Sequence, residues 1–273
     1  MNLLYFNKLY NEINFSWIWL LGENLGKTIL NSNFELIKII DPYIFQNSLD
    51  DINDNEYDGA IISTPLDYHY ETAHILLKKN KKILIEKPCT HKLEDINKLI
   101  YSNNPGNNCG VGYILLYCSA IQKIKTLNSK WNYAHFYRSN GSSQIRTDCN
   151  VVYDLLCHDI ALAYYMFEKF PKILFVNKND DVVNCIIQFG DTICYFYCTR
   201  VDKQKLSQAK FINKNETYDY DDIKKELKII NNEGCKIEEF KEYPLSNQLE
   251  HFKTKFKADL EFGAVVHQIL ELI

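Results

Sequence analysis

Three residues of this chain have the types and spacing needed for proton transfer: Lys87, Asp154 and His158. Lys87 lies between an apolar run and Pro88, and a proline restricts the residue before it to extended conformations. A positioned ammonium group can hydrogen-bond a reacting oxygen and stabilise developing alkoxide charge. A histidine titrates near neutral pH and can take or return a hydroxyl proton. We therefore predict His158 as general acid and base, Lys87 as its electrostatic and proton partner, and Asp154 as the residue that orients His158.

Simpler interpretations of the same residues stay open. Residues four apart share one face of a helix, and an exposed pair of this kind contributes only about 0.2–0.5 kcal/mol. The apolar residues at 151–152 and 155–156 predict that the helix around Asp154 and His158 is mostly buried, which weakens that interpretation. Lys87 considered alone would be a solvated loop residue.

The segments that position these residues alternate between strand-like and helix-like patterns in the first part of the chain. Strand candidates are 17–21, 36–40, 59–63, 82–85 and 109–113, and helix candidates are 26–31, 69–79 and 93–101. This alternation predicts a doubly wound, parallel sheet. Ligands bind such sheets at the carboxyl ends of the strands, which is where Lys87 lies. Residues 1–16 form an extra lead-in, with a helix as one option.

Beyond residue 113 the pattern changes. Helix candidates are 119–127, 151–167, 249–256 and 265–272, and strand candidates are 131–138, 182–189, 193–199 and 208–213. Period-two runs joined by tight loops predict an antiparallel sheet with one face covered. The chain is therefore predicted to have an α/β fold with two domains, 1–115 and 116–273.

Composition argues against several classes of protein. The formal net charge is −4 over 273 residues and there is no arginine-rich segment, which disfavours a nucleic-acid partner. The longest apolar run is too short to cross a bilayer, and the N-terminus lacks the pattern of a signal peptide. The nine cysteines are scattered without a C-x-x-C pair, which predicts small core residues rather than a disulfide frame or zinc site. We expect a cytoplasmic protein without a metal.

The order of several short motifs resembles the Gfo/Idh/MocA oxidoreductases. The motifs are Thr-Pro-x-x-x-His at 64–69, Glu-Lys-Pro at 86–88, Val-Gly-Tyr at 111–113 and Asp-x-x-x-His-Asp at 154–159. The resemblance, which extends from about residue 17 to residue 273, implies a Rossmann domain followed by an α/β domain whose open, mainly antiparallel sheet forms the oligomer interface. It implies a nicotinamide cofactor and hydride transfer at a carbinol or carbonyl carbon. The expected partners are a small sugar-like substrate and further copies of the chain, in a homodimer or homotetramer, with no membrane partner.

The resemblance also implies which residues contact the ligands. Cofactor-binding residues are Gly22, Asn24, Leu25, Gly26, Asp41, Ser63, Thr64, Pro65, His69, Glu86 and Lys87, and substrate-binding residues are Lys87, Tyr113, Asp154 and His158. A carboxylate at Asp41 would receive the adenosine ribose hydroxyls and repel a 2′-phosphate, so NAD is favoured over NADP. Asp41 considered alone would be a turn residue, and His69 a helix-start histidine that packs locally. Arg138 and Arg146 could meet an anionic substrate group, and we interpret both as surface arginines.

The predicted phosphate loop departs from the G-x-G-x-x-G pattern. Its glycine positions fall on Leu21, Glu23 and Gly26, and a carboxylate at the second position would repel a pyrophosphate. If the loop is rebuilt with Glu23 turned to solvent, the chain is an NAD-dependent dehydrogenase or reductase of a sugar, cyclitol or nucleotide sugar. If the phosphate site has decayed, it is a non-catalytic sensor or interaction protein. Biliverdin-reductase-like reduction would not need the Asp–His pair, which argues against that third function.

Overall fold

A computed structural model describes residues 3–7, 35–40, 53–102, 108–141, 148–252 and 254–273, with the backbone alone described in the first two ranges. The chain forms two compact units, Met1–Ile114 with Leu245–Ala264, and Leu115–Pro244 with Val265–Ile273. The segment Leu245–Ala264 thus joins the first unit, whereas the sequence groups it with the second domain. It does so because Val111 N–H donates to Ala258 O at 2.9 Å, and Gly110 forms an antiparallel bridge with Asp259.

The first unit contains a five-stranded sheet in the order β2-β1-β3-β4-β5. Its strands are Leu3–Asn7 (β1), Glu35–Ile40 (β2), Gly59–Ile62 (β3), Lys82–Ile85 (β4) and Cys109–Val111 (β5), with the helices His69–Lys78 (α1) and Leu93–Ser102 (α2) between the last three. β3, β4 and β5 are parallel, which confirms the predicted Rossmann-type sheet. β1 is antiparallel to both β2 and β3, so a helical lead-in is wrong over these residues. The aromatic residues of Leu-Leu-Tyr-Phe favour a strand there. The predicted strand 17–21 and helix 26–31 lie outside the described residues.

Burial in the first unit fixes where the ends of β3 and β4 lie. All four residues of β3 are buried, as are the last three of β4, as expected for parallel strands covered on both faces. Ile62 pairs with Ile85, so the two strands end side by side. The helix α1 buries one stripe at the spacing of an amphipathic helix, formed by His69, Thr72, Ala73, Leu76 and Leu77.

The second unit contains an eight-stranded sheet. Its strands are Tyr133–Asn140 (β6), Lys172–Lys178 (β7), Val182–Phe189 (β8), Thr192–Thr199 (β9), Lys205–Ile212 (β10), Glu216–Asp221 (β11), Glu226–Asn231 (β12) and Gly234–Glu239 (β13), in the order β13-β12-β11-β10-β6-β9-β8-β7. Its neighbouring strands are antiparallel except for β6 and β9, which are parallel. Buried and more accessible residues alternate along β8 and β9. The predicted mainly antiparallel sheet with one covered face is therefore confirmed.

Four strands were not predicted, and the last two helices have bounds that differ from the predicted ones. The strands β7, β11, β12 and β13 lie toward the two edges of the sheet, and in the last three charged residues interrupt the apolar pattern. The remaining helices are Ser119–Thr126 (α3), Cys157–Phe167 (α4), Pro244–Phe252 (α5) and Leu260–Glu271 (α6). The last two begin before their predicted starts of 249 and 265.

Seven of the nine cysteines are buried, Cys149 is half-buried and Cys235 is exposed, and all are free thiols. The prediction that most cysteines are small core residues is confirmed. Within the described part of the chain, no helix combines the length and apolar character needed to cross a membrane.

Candidate functional site

The turn after β3 carries three residues predicted to contact the cofactor. Ser63 is half-buried, Thr64 is 5% exposed and Pro65 is exposed. The Thr64 hydroxyl is buried and has no hydrogen-bond partner among the residues that the structure describes. Folded proteins rarely leave a buried hydroxyl in this state, and a bound group can supply the missing partner. This turn therefore fits a polar group of a bound cofactor.

His69, the first residue of α1, joins two turns. Its side chain is buried, with 1% of its surface exposed. Nε2 lies 2.8 Å from Thr64 O, and Nδ1 lies 3.0 Å from Pro88 O and 3.2 Å from Cys89 O. The ring therefore connects the turn after β3 to the turn after β4. The predicted contact of His69 with a cofactor stays a prediction, because the contacts described here are to the backbone.

Lys87 lies in the turn after β4 and is half-buried. The two peptide groups that precede it in the chain are both hydrogen-bonded. Glu86 N–H donates to Ile62 O at 2.8 Å, and Lys87 N–H donates to the Glu86 carboxylate at 3.2 Å. The bond between Lys87 and Pro88 is cis. The lysine is thus carried on a backbone segment tied to the end of β3.

Because Gly112 has no side chain, the Glu86 carboxylate has room to lie beside it. A Cβ atom at Gly112 would lie 3.1 Å from Glu86 Oε2 and 3.3 Å from Glu86 Cα, which is tighter than most contacts that Cβ atoms make in proteins. Gly112 N–H also donates to Ile85 O at 2.8 Å. Tyr113 is buried and packs on Phe262 with ring centroids 6.1 Å apart. Its predicted contact with a substrate stays a prediction.

The segment that carries Asp154 and His158 begins with a capped turn. Asn150 Oδ1 accepts hydrogen bonds from two backbone N–H groups of the next turn, at 3.1 and 3.3 Å. Val152–Leu156 is a π-helical turn that continues into α4. A π-turn joins residues five apart by hydrogen bonds, so the turn that carries Asp154 departs from the regular α-helix that the sequence predicts. π-turns inside helices occur frequently at functional sites.

Asp154 forms an ion pair that the sequence analysis missed. Arg200, which follows β9, places Nη2 3.3 Å from Asp154 Oδ2, and the two side chains are 4% and 7% exposed. The same Nη2 donates to Cys149 O at 2.6 Å. Arg200 N–H donates to Asp181 O, and Val151 N–H to Asp180 O, both at 2.9 Å. One arginine therefore ties the Asp154 turn to the end of β9. Arg200 belongs to no recognisable motif, and only the fold brings it to Asp154. His158 is half-buried, and its proposed role is not tested by these contacts.

Arg138 is not the surface arginine that we expected. It forms a two-pronged ion pair with the buried carboxylate of Asp159, at 2.6 Å from Nη2 to Oδ1 and 3.1 Å from Nε to Oδ2. Burial alone would lower the pKa of the Arg138 guanidinium, but the adjacent Asp159 carboxylate outweighs burial and the pKa lies above its ordinary value. The Cys198 thiol donates to Asp159 Oδ2 at 3.4 Å, and burial raises its pKa well above the usual range. Arg138 is thus occupied by an internal partner, and Arg146 lies outside the described residues.

Several predicted residues lie outside the described residues. These are Gly22, Asn24, Leu25, Gly26 and Asp41, together with the loop residue Glu23. Their roles at the pyrophosphate and ribose stay predictions. Within the described ranges, no group of histidine, cysteine, aspartate and glutamate side chains has the arrangement of a metal site.

Comparisons with known proteins agree with the Rossmann-type sheet of the first unit. Residues 33–113 match the oxidoreductase family with an NAD-binding Rossmann fold named GFO_IDH_MocA. The chain is similar in structure to UDP-N-acetylglucosamine 3-dehydrogenase GnnA from Acidithiobacillus ferrooxidans, with 19% identity, a TM-score of 0.74, and coverage of 83% of this chain and 80% of that one. It is also similar to the dehydrogenase MviM from Clostridium difficile, with 16% identity, a TM-score of 0.74, and coverage of 83% and 81%.

A third similar structure is KijD10, a 3-ketoreductase from Actinomadura kijaniata in complex with TDP-benzene and NADP, with 8% identity, a TM-score of 0.69, and coverage of 80% and 77%. At these identities the structures establish the fold alone. A search of curated proteins gives no match. Residues 33–113 therefore match the NAD-binding Rossmann fold of the Gfo/Idh/MocA oxidoreductase family, and the structures similar to the chain share its fold.

Proposed function

We propose that this protein is a nicotinamide-dependent dehydrogenase or reductase that acts on a CH–OH or carbonyl group of a sugar, cyclitol or nucleotide sugar. The main support for the proposal is that the turn carrying Lys87 lies next to a turn with a buried hydroxyl that a ligand could bind. The Lys87 turn follows β4, and the adjacent turn after β3 buries a Thr64 hydroxyl that has no partner among the described residues. The carboxyl ends of parallel strands are the usual ligand site of such sheets.

The roles of the side chains follow from their chemistry. A bound nicotinamide would supply the hydride acceptor or donor. The Lys87 ammonium would donate a hydrogen bond to the reacting oxygen and stabilise its developing negative charge. His158 would take the hydroxyl proton in oxidation and return it in reduction. Asp154, balanced by Arg200 at 3.3 Å, would orient the ring or bind a substrate hydroxyl.

For the cofactor, we propose NAD in preference to NADP. The support is Asp41, whose carboxylate would repel a 2′-phosphate. Similar structures include a complex with NAD+ and a complex with NADP, so the choice depends on this chain's own residue. Replacing Asp41 by serine should weaken NADH binding and strengthen NADPH binding. If the variant keeps the affinities of the unmodified protein for both cofactors, Asp41 does not contact the ribose.

Nucleotide sugars are the first substrates to test, because the similar structures include a UDP-N-acetylglucosamine 3-dehydrogenase. The experiment is a screen of UDP-sugars, free sugars and cyclitols with NAD+ and with NADP+, following absorbance of the reduced cofactor. Turnover of at least one substrate class is expected. Absence of turnover in both directions, in a folded protein that binds neither cofactor, would contradict the proposal.

The second candidate is a non-catalytic sensor or interaction protein, and Glu23 is the observation that favours it. Replacing Glu23 by glycine separates the two functions. If Glu23 lies beside the phosphates, the variant should bind NADH more tightly because a repulsive charge is gone. If affinity does not change, Glu23 lies away from the phosphates, as the dehydrogenase proposal requires.

We also propose that the chain forms a homodimer or homotetramer through the accessible face of the eight-stranded sheet. On that face the rings of Tyr137 and Tyr197 stack with centroids 5.0 Å apart, and those of His135 and Tyr195 meet edge to face at 5.0 Å. Aromatic residues are enriched at the centres of protein interfaces. Replacing Tyr195 by arginine should give a monomer in light scattering, whereas the same change at the exposed Tyr101 of α2 should not. An unchanged mass in the Tyr195 variant would overturn this interface.

A further inference from the structure

We propose that His69 is a positioning residue for Lys87, and that its ring, protonated on both nitrogens, ties the turn after β3 to the turn after β4. The part of the proposal that concerns Lys87 activity rests on the proposed function. The part that concerns the ring and the two turns rests on the contacts of His69 alone.

We infer the protonation state of the His69 ring from the contacts of its two nitrogens. Nε2 faces Thr64 O at 2.8 Å, and Nδ1 faces Pro88 O and Cys89 O at 3.0 and 3.2 Å. A carbonyl oxygen only accepts hydrogen bonds, and a neutral imidazole has a single N–H. Either neutral tautomer would therefore direct a nitrogen lone pair at a carbonyl oxygen within hydrogen-bond distance. The imidazolium form donates on both sides and leaves no such contact.

The surroundings of the ring are compatible with a positive charge. A buried charge is costly unless it is paired and hydrogen-bonded, and the hydrogen bonds that stabilise a charged ring here are those to three carbonyl oxygens. The Cys89 thiol is neutral, because burial raises its pKa to about 12. The other acidic, basic and histidine side chains of the two turns are Asp67, Glu86, Lys87, His91 and Lys92, and Lys92 is exposed. Asp67 is exposed and pairs with His91 at 2.6 Å, and the Glu86 carboxylate accepts the Lys87 N–H.

The position of the contacts links His69 to Lys87. Pro88 O belongs to the residue directly after Lys87, and Glu86 N–H, directly before it, is bound to Ile62 O at 2.8 Å. The backbone on both sides of Lys87 is therefore anchored to β3 or to the turn that follows it. Losing the His69 contact would release one of these two anchors. A displacement of about 1 Å in a catalytic group can lower the rate by about 100-fold.

The first test measures the ring directly in the full-length protein. Histidine labelled with ¹⁵N would be incorporated, and the His69 ring signals assigned by comparison with the spectrum of His69→Asn. Both His69 nitrogens should show the shifts and attached protons of an imidazolium at neutral pH. His74→Asn, a change on the same helix, should leave these signals in place. A His69 nitrogen with the shift of an unprotonated imidazole would overturn the proposal. If His69→Asn does not fold, assignment by through-bond correlation in the unmodified protein gives the same answer.

The second test asks whether the contact positions Lys87. His69→Gln keeps an amide donor and should shift the backbone amide signals of Lys87 and Cys89 less than His69→Ala does. In the active enzyme, kcat should fall by about 10- to 100-fold in His69→Ala, with partial recovery in His69→Gln and with cofactor affinity nearly unchanged. Unchanged Lys87 signals and unchanged kcat in His69→Ala would overturn the positioning role. An imidazolium signal together with an inactive unmodified protein would instead contradict the proposed function and leave the ring assignment intact.

Discussion

The two regions that carry the predicted catalytic residues are held in place by different forces. Around Lys87, the turn is held mainly through its backbone: peptide groups and the His69 ring contact backbone carbonyls, and the Glu86 carboxylate accepts the Lys87 N–H. Around Asp154, the main contact is an ion pair with Arg200 in which both side chains are almost fully buried. A turn held through its backbone tolerates the loss of its side-chain charge. A buried ion pair does not, because removing one partner leaves the other charge in a poorly solvating interior. We therefore expect substitutions to reduce mainly activity in the first region and mainly stability in the second.

The largest expected effect on activity is from Lys87→Met. Removal of a preorganised donor to the reacting oxygen should lower kcat/KM by about 10²- to 10³-fold. The free energy of unfolding should change little, because Lys87 is half-buried and its backbone contacts stay. Steady-state kinetics and chemical denaturation measure the two quantities. Lys92→Met, at an exposed lysine five residues away, is the matched control and should keep full activity. If Lys87→Met keeps the activity of this control, Lys87 is not a catalytic residue.

The largest expected effect on stability is from Arg200→Met. The change takes away the guanidinium that balances Asp154, and the free energy of unfolding should fall by about 3–5 kcal/mol. Adding Asp154→Asn in the same chain should recover part of that loss, since the buried carboxylate is then neutral. Urea denaturation of the single and double variants measures the coupling between the two side chains. Additive losses would show that the pair does not interact.

A second buried pair in the same unit provides the control for that experiment. Arg138 and Asp159 form a closer, two-pronged pair. Arg138→Met should lower stability by a similar amount, about 3–5 kcal/mol, yet leave the pH dependence of kcat unchanged in the folded fraction. Arg200→Met should shift that pH dependence, because it alters the charge beside Asp154. If both variants have the same pH profile, the Arg200–Asp154 pair influences catalysis no more than the Arg138–Asp159 pair does.

Local patterns in the sequence predicted the central elements of both sheets, because buried strands are continuous or alternating apolar runs. The strands β4 and β8 have the predicted bounds. The strands β11 to β13, which lie toward one edge of the sheet, are rich in charged residues and carry no such pattern. The motif residues Lys87 and His69 were identified, but the ring contacts of His69 were not. Arg200 could not be found, because an ion pair between distant segments has no signature in a single sequence.

The smallest of these effects is expected at Gly112. In Gly112→Ala, the new Cβ would meet the Glu86 carboxylate at 3.1 Å, so Glu86 must shift by a few tenths of an ångström. We expect a loss of about 1 kcal/mol in stability and a roughly tenfold loss of kcat from the displaced Lys87 turn. Glu86→Ala combined with Gly112→Ala should lose less stability than the sum of the single changes. A strictly additive pair would place Glu86 away from Gly112 in solution.

The central claim is that this chain binds and uses a nicotinamide cofactor, and cofactor binding tests it most directly. NADH and NADPH would be titrated separately into the full-length protein by calorimetry, with energy transfer from its three tryptophans as a second signal. We predict binding of NADH with a dissociation constant in the micromolar range, or about −8 kcal/mol, and weaker binding of NADPH. A protein shown to be folded by circular dichroism that binds neither cofactor would contradict the account.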